Sequence, residues 1–452
     1  MNIIIVGCGR VGQTLAENLN NDGNDVTVVD LSPSKVKEVT DRVDVMGVIG
    51  NGATHSTLQE AGINNADLFI AVTNSDELNL LCCMVAKKEG DCDTIARVKS
   101  PEDSAESLYL KEQLGLAMVI NPQLAAAEEI ARVMRFPTAI KVEPFAKGRV
   151  SLIKFRLPSD SPLIGMSVVE VINKYHPEIL LCTVERGDEA YIVNGSTTFK
   201  EKDIISLVST TEKAHAFFKK INFKGNAVKD AVIAGGGNIT HYLCSILEKS
   251  KIALTVIERD QKVCEELSST YPKTNVIFGD ALNKELLFEE GISNVDAFVA
   301  LTNHDEDNIL LSLFYKEEGH GKLFTKINRT DYGNVINKLD FDTVICPKNI
   351  TSDIILRFVR ASANTKGSNV ETLYNVVDGK VEASEFLVKA GSPIIGIPLS
   401  KLTFKPNVLV AAITRDDKVI IPRGQDVIQE NDYVVVVTKE LSPSDVTDVL
   451  DQ

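Results

Sequence analysis

The sequence predicts an α/β protein with two doubly wound parallel-sheet domains, each followed by a small α+β module. Three observations carry this expectation. The chain opens with an apolar, β-branched run, Asn2-Ile3-Ile4-Ile5-Val6, which breaks into Gly7-Cys8-Gly9-Arg10-Val11-Gly12 and then a helical pattern through Leu15, Ala16 and Leu19. Strand-like and helix-like segments go on alternating, the pattern of βαβ units with a parallel sheet covered on both faces. The whole arrangement is then written a second time.

The first strand, glycine turn and helix are followed by Val26-Thr27-Val28-Val29, which ends in Asp30. Glycines at these spacings let backbone N–H groups and a helix N-terminus approach a pyrophosphate. An acid about 20 residues on can hold a ribose hydroxyl pair. A carboxylate there repels a 2′-phosphate, which favours NAD or adenine nucleotides over NADP. Leu31 and Ser32 offer no compensating cation. Arg10 can bind phosphate oxygens through its planar fork. Gly50-Asn51 follows the third strand, where a side-chain amide can meet the adenine or its ribose. Thr73-Asn74 end the fourth strand and Arg97 the fifth, at the carboxyl edge where ligands sit in open α/β sheets.

The second copy begins at Ala231-Val232-Ile233-Ala234, runs into Gly235-Gly236-Gly237-Asn238-Ile239-Thr240, and places Glu258 at the end of its second strand. Gly7 to Gly235 and Asp30 to Glu258 span the same number of positions. After a one-residue shift Gly50-Asn51 matches Gly279-Asp280, Thr73-Asn74 matches Thr302-Asn303, and Asp76, Glu77 and Asn79 match Asp305, Glu306 and Asn308. Lys326 stands where Arg97 does, Asn238 where Arg10 does, and Thr240 where Gly12 does. The first site is therefore expected to bind polyphosphate ligands more tightly, and the second to be weaker or to take a smaller ligand.

Between and after these domains the texture changes to short alternating strands and turns. Val150-Ser151-Leu152-Ile153-Lys154-Phe155 and Asp203-Ile204-Ile205-Ser206-Leu207-Val208 bracket the first such module, and Pro162-Leu163-Ile164-Gly165 precedes an expected short helix. Ser384-Glu385-Phe386-Leu387-Val388, Pro393-Ile394-Ile395-Gly396 and Asp432-Tyr433-Val434-Val435-Val436-Val437 repeat it. Expected boundaries are 1–137, 138–221, 226–362 and 363–452, with a hinge around Asn222-Phe223-Lys224-Gly225-Asn226.

Bulk properties limit the function. A chain of 452 residues holds about three or four ordinary domains. A net charge of −15 argues against nucleic acid as a partner. No apolar run approaches the roughly 18 residues of a membrane span, and the start has no basic signal-peptide region. The eight cysteines are scattered with no CxxC, as expected of reduced thiols in a cytosolic protein rather than a disulfide or zinc framework. None of the six histidines occupies a position that the duplication repeats. A dehydrogenase needs a proton-handling group beside its nicotinamide. No Tyr-x-x-x-Lys pair and no GxxxxGK[ST] phosphate loop is present. The expectation is a protein that binds nucleotides without transforming them, with no catalytic residue and no metal site. The competing class is an NAD-dependent oxidoreductase with a duplicated cofactor domain. A redox-sensing transcription factor would need a basic recognition helix, which the sequence lacks.

Gly7-Cys8-Gly9-Arg10-Val11-Gly12, Asp30, Gly50-Asn51, Ala71-Val72-Thr73-Asn74 with Asp76-Glu77-Asn79, and Arg97 resemble an RCK (KTN) nucleotide-binding domain. The segments around Pro162-Leu163-Ile164-Gly165 and Pro393-Ile394-Ile395-Gly396 resemble RCK C-terminal domains. The N–C–N–C order resembles the TrkA family of regulatory subunits of Trk-type potassium uptake systems. That resemblance implies binding of NAD(H) and ATP or ADP at the glycine loops. Gly7, Cys8, Gly9, Arg10, Val11, Asp30, Thr73, Asn74 and Arg97 would carry the first site. Gly235, Gly236, Gly237, Asn238, Ile239 and Glu258 would carry the second. Asn51, Asp280, Thr302, Asn303 and Lys326 complete the expected set by position. The resemblance also implies a homo-oligomeric ring, a tetramer, beneath a TrkH- or TrkG-like membrane subunit that conducts potassium. The protein would then sit in the cytoplasm against the inner face of the plasma membrane through that partner.

Overall fold

The computed structural model describes residues 1–99, 109, 111–136, 138–145, 148–187, 189–223, 228–329, 336, 338–339, 341–364, 370–377, 380–416, 418–439, 443 and 445–451. Of the expected hinge, Lys224, Gly225 and Asn226 lie outside these residues. The chain divides into two compact units, Met1–Ala131 with Val228–Leu356, and Arg132–Ala227 with Arg357–Gln452.

The first unit contains both parallel sheets. In the first repeat β1 (Asn2–Val6), β2 (Asp25–Asp30), β3 (Met46–Ile49), β4 (Leu68–Ala71), β5 (Asp93–Arg97) and β6 (Met118–Ile120) alternate with α1 (Arg10–Asn21), α2 (Pro33–Thr40), α3 (His55–Glu60), α4 (Asp76–Glu89) and α5 (Pro122–Arg135). The strand order is β3-β2-β1-β4-β5-β6, and its pairings are parallel. This is the order of a dinucleotide-binding sheet, whose ligand crevice lies at the carboxyl ends of β1 and β4. β1 and β4 are nearly continuous apolar runs because helices cover both faces. Ile4, Val6, Phe69 and Ala71 form one core with Leu58, Cys82 and Cys83.

The second repeat builds the same sheet, β14-β13-β12-β15-β16-β17. Its strands are β12 (Asp230–Ala234), β13 (Ala253–Glu258), β14 (Asn275–Phe278), β15 (Ala297–Ala300), β16 (Lys322–Lys326) and β17 (Thr343–Ile345). Its helices are α8 (Asn238–Leu247), α9 (Gln261–Thr270), α10 (Lys284–Glu289), α11 (Asp305–Glu318) and α12 (Pro347–Asn364). The Asn121 amide donates to the Tyr242 hydroxyl at 2.7 Å, joining the two repeats within this unit.

The second unit holds two five-stranded antiparallel sheets. The first has β7 (Lys141–Phe145), β8 (Val150–Arg156), β9 (Leu180–Arg186), β10 (Glu189–Ile192) and β11 (Ile204–Ser209), in the order β10-β9-β11-β8-β7. It carries α6 (Val168–Tyr175) and α7 (Thr211–Lys220). The second has β18 (Val370–Val377), β19 (Val381–Leu387), β20 (Val408–Arg415), β21 (Lys418–Ile420) and β22 (Tyr433–Lys439), in the order β18-β19-β22-β20-β21. One face of the first sheet packs on its helices through Ile153, Phe155, Leu207 and Phe217. Its other face shares a core with the second sheet, Leu152, Cys182 and Val208 meeting Ala383, Ala412 and Val437.

The two small modules share a strand order and differ in their helices. The helix expected after Pro162-Leu163-Ile164-Gly165 is α6, started by a capping box in which the Ser167 hydroxyl accepts from Glu170 N–H and Glu170 accepts from Ser167 N–H. After its last strand the second module has a 3₁₀ turn, Val446–Val449, where the first has α7, and after Pro393-Ile394-Ile395-Gly396 it has a shorter one, Leu399–Lys401. The Leu399–Lys401 segment lacks that box and is bounded by Pro398 and Pro406, which restrict helix growth on both sides.

Candidate functional site

Each parallel sheet presents a glycine turn at the carboxyl end of its central strand. Gly7 has φ +107°, and a Cβ there would stand 2.9 Å from the Thr73 nitrogen, so only glycine lets the turn pass this close to the end of β4. A Cβ at Gly12 would stand 1.9 Å from the Gly7 carbonyl oxygen, so α1 sits directly on the turn. Gly9 caps α1 without any side-chain bond, which leaves the first N–H groups of the helix open toward the cleft. Arg10 is the first helical residue and is exposed; Val11 is buried against the sheet.

Asp30 closes this turn from β2. Its two oxygens accept from Cys8 N–H at 2.8 Å and from Ser32 N–H at 2.9 Å. Each carboxylate oxygen keeps a second lone pair, so the group can hold the loop and still receive ribose hydroxyls. The Cys8 thiol is buried beside it. Burial, with the Asp30 charge adding to it, pushes that thiol up to about 12, so it is a packing group rather than a nucleophile. Asn51 turns its own loop, its Oδ1 accepting from Ala53 N–H at 3.0 Å.

The second repeat matches this geometry with altered chemistry. Gly235 also has φ +107°, and Gly237 caps α8 without a side-chain bond. Glu258 accepts from Gly236 N–H at 2.6 Å and from the Arg259 and Asp260 N–H groups at 2.8 Å each. At the position of Gly12, the fully buried Thr240 donates its hydroxyl to the Gly235 carbonyl at 2.6 Å. The side chain fills the gap that glycine closes in the first repeat. Gly235, Gly236, Gly237, Glu258, Asp280, Thr302 and Asn303 line a single cleft together with Arg259, His304 and Asp307. Asn238, Ile239 and Lys326 do not line it; Ile239 is buried in the helix–sheet core.

The basic residues at the fifth strands sit deeper than an open-edge ligand group would. Arg97 is almost fully buried beneath the end of β4, with its guanidinium donating to the Thr73 carbonyl and, at 3.5 Å, to Asn74 Oδ1. Burial lowers its pKa, which the Asp76 charge partly offsets. Lys326 is also buried and donates to the Leu301 carbonyl at 3.3 Å. Burial brings it down to about 8 despite Asp305.

The sequence had shown two further pairs as repeats without giving them roles. Asn308 lies fully buried in α11; its Oδ1 accepts from Thr302 N–H at 2.8 Å and its Nδ2 donates to the Lys326 carbonyl at 3.0 Å. Asp305 accepts from the N–H groups of Asn328 and Arg329, and Asp76 accepts from Lys99 N–H at 2.7 Å. These groups set the turns after the fourth and fifth strands. Their repetition in both copies was the available signal. Among the described residues no cluster of three His, Cys, Asp or Glu could hold a metal ion, and no helix is long and apolar enough to cross a membrane.

Two dinucleotide-type sheets in one unit, each ending in an uncapped helix and a loop-closing carboxylate, define a tandem α/β protein of the nucleotide-binding type of fold. The TrkA-N domain model matches residues 3–122 and 231–347, and the TrkA-C domain model matches 152–222 and 383–441. The chain belongs to the TrkA family. It is 31% identical to the Trk system potassium uptake protein TrkA homolog 1 of Methanosarcina mazei over 454 residues, covering 99% of each chain. It is 32% identical to the Trk system potassium uptake protein TrkA of Haemophilus influenzae, over 96% of this chain and 95% of that one. Among solved structures the GsuK channel superposes with a TM-score of 0.65 at 16% identity, over 97% of this chain and 77% of that one. The GsuK channel bound to NAD gives 0.64 at the same identity and coverage. At that identity the likeness is one of fold.

Proposed function

We propose that this chain is a nucleotide-binding regulatory subunit that gates a Trk-type potassium uptake system, holding NAD(H) and ATP or ADP intact at its two glycine loops. The observation that carries the reading is the pairing, in a TrkA-family chain, of two uncapped helix N-termini with Asp30 and Glu258. Anion-accepting N–H groups and a ribose-accepting carboxylate stand together twice. The residues fit an adenine nucleotide: a Cβ at Gly7 or Gly12 would close the turn, whereas Gly9 faces open space.

In this reading Gly7 to Val11 and Gly235 to Ile239 supply the phosphate cradle. Asp30 and Glu258 take the ribose, and Asn51 and Asp280 face the adenosine end. Thr73-Asn74 and Thr302-Asn303 close the far side. Arg97 and Lys326 act from beneath, through the carbonyls they hold. The partner is a TrkH- or TrkG-like potassium-conducting membrane subunit, engaged by a tetrameric ring at the inner face of the membrane. The chain does no chemistry on its ligand; gating needs only a nucleotide that prefers one ring shape, and a coupling of about 1–3 kcal/mol suffices.

Calorimetry with NADH, NAD, ADP and ATP on wild type, Asp30→Ala and Glu258→Ala tests the sites. A greater loss of polyphosphate affinity at Asp30→Ala is expected; equal affinities in all three proteins would remove the site assignment. Potassium flux through the reconstituted membrane partner, followed as nucleotide is varied, tests the gating. Steady hydride transfer to or from small alcohols or 2-hydroxy acids would instead establish an oxidoreductase.

A further inference from the structure

The two glycine loops differ in what lies beside their helices. At the first, Gln13 and Thr14 of α1 and Val43 after α2 line a cavity of about 560 Å³ that reaches the second repeat. The duplication places His241, Tyr242 and Tyr271 at those three positions, so each carries a ring. Tyr242 is buried, and its hydroxyl accepts from Asn121 Nδ2 at 2.7 Å, in the turn that starts α5 of the first repeat. Asn121 is itself fixed there, its Oδ1 accepting from the Gln123 and Leu124 N–H groups at 3.0 Å each. The His241 and Tyr271 rings meet edge to face with centroids 5.9 Å apart. The space that stands open beside α1 is therefore filled beside α8, and the filling is tied to the other repeat.

What remains at the second loop is a small, acidic cleft. It holds about 80 Å³, and all of its lining residues belong to the second repeat. Glu258, Asp280 and Asp307 bring three carboxylates to it against the guanidinium of Arg259. His304 lies 3.6 Å from Asp307. Burial lowers the pKa of His241, against the Glu266 charge, so that ring brings no cation to the loop at neutral pH. Each free phosphate added to a ligand here carries like charge toward the carboxylates and finds the space along α8 occupied. A base and its ribose hydroxyls are uncharged and meet neither obstacle.

We infer that the second glycine loop is a site for a nucleoside or a nucleoside monophosphate, and that Tyr242 sets this limit by filling the space beside α8. The inference rests on the second loop being a nucleotide cleft, and it narrows the ligand of that cleft to this class. Polyphosphates are left to the first loop. One chain then holds two nucleotides of different phosphate number at once, without competition between them.

The test is calorimetry on the full chain with AMP, before and after saturation with ATP. Wild type saturated with ATP is expected to bind one further AMP per chain, its affinity changed by less than about tenfold. Failure to bind AMP under ATP overturns the inference, as does ATP filling two sites per chain; either result leaves nucleotide binding at the loops intact. Absence of binding by both nucleotides overturns this inference and the site reading together. Glu258→Ala is expected to abolish the ATP-resistant AMP site; its survival places AMP elsewhere and overturns the assignment. Tyr242→Thr, which matches Thr14 of the first repeat, is expected to strengthen ATP at the second loop about tenfold or more while AMP affinity holds. An unchanged ATP affinity there overturns the role of Tyr242. Should that variant fail to fold, Tyr242→Phe keeps the ring and must keep the exclusion; ATP entering the second loop of Tyr242→Phe overturns the role of the ring.

Discussion

The carboxamide of Asn79 is bonded on both sides to Thr73: its Oδ1 accepts from the Thr73 N–H at 2.8 Å and hydroxyl at 2.7 Å, while its Nδ2 donates to the Thr73 carbonyl at 3.2 Å. The same Nδ2 donates to the Arg97 carbonyl at 2.8 Å, so one fully buried side chain in α4 ties the ends of β4 and β5 together. Replacing Asn79 with Ala removes its bonds to the Thr73 N–H and the Arg97 carbonyl, while the Thr73 carbonyl keeps the Arg97 guanidinium. The expected cost is about 2–3 kcal/mol, read as a lower melting temperature and faster amide exchange at Thr73. Unchanged exchange at Thr73 would mean that the carboxamide does not hold the turn.

Gly12→Ala and Thr240→Ala probe the same contact with opposite expectations. A Cβ on residue 12 meets the Gly7 carbonyl at 1.9 Å, so α1 must lift from the turn and nucleotide binding at that loop is lost. Thr240→Ala removes one hydroxyl bond to Gly235 and costs about 1 kcal/mol. Binding stoichiometry and thermal melting together distinguish the two; equal, mild effects would contradict the close packing of α1.

Lys326 makes stability rise with pH over a defined window. Its folded value, near 8, lies below its ordinary 10.5 because burial opposes the charge. Between those values the unfolded chain binds the extra proton, so raising the pH favours the folded state; below about 8 both states are protonated and the penalty is fully present. Lys326→Met is expected to flatten that rise by up to about 3 kcal/mol between pH 8 and 10.5. Unfolding measured across this range, variant against wild type, checks it; parallel curves would count against a buried, charged Lys326.

Asp203 and Asp432 anchor the small modules in the same way. Each is fully buried, and each receives a two-pronged guanidinium, from Arg186 at 2.8 and 2.7 Å and from Arg415 at 2.8 and 2.7 Å. Asp203 also accepts from Lys200 N–H and Asp432 from Gln429 N–H, both at 2.7 Å. Asp203→Ala or Asp432→Ala is expected to cost about 3–5 kcal/mol. Denaturant unfolding should show matched losses; a loss below about 1 kcal/mol would mean the pair contributes little.

Much of this architecture was legible in the residues. The run Ile3 to Val6, its glycine break and the helix after it left little freedom, because β-branched residues, a turn that needs positive φ and a 3.6-residue apolar spacing agreed with one another. The duplication extended that reading to β12 and α8. The depth of Arg97 was not legible: a cation at a strand end reads as a ligand group, whereas burial gives it the Thr73 carbonyl as its partner. Nor was the fate of the small sheets. Val150 to Phe155 is buried almost throughout, so it shows no apolar–polar alternation to indicate which face meets which neighbour. The missing helix near Leu399 turned on a capping box that one repeat has and the other lacks.

The apolar face joining Leu152, Cys182 and Val208 to Ala383, Ala412 and Val437 makes each half of the polypeptide the other's obligatory lining. Severed into separate halves, the protein would have to recover that face by collision, at a rate set by concentration; as one thread its mate is always at hand. A pair of identical halves must also accept every substitution twice. A covalently tethered pair is free of that symmetry, and so Arg10 can face a world in which its twin position holds Asn238.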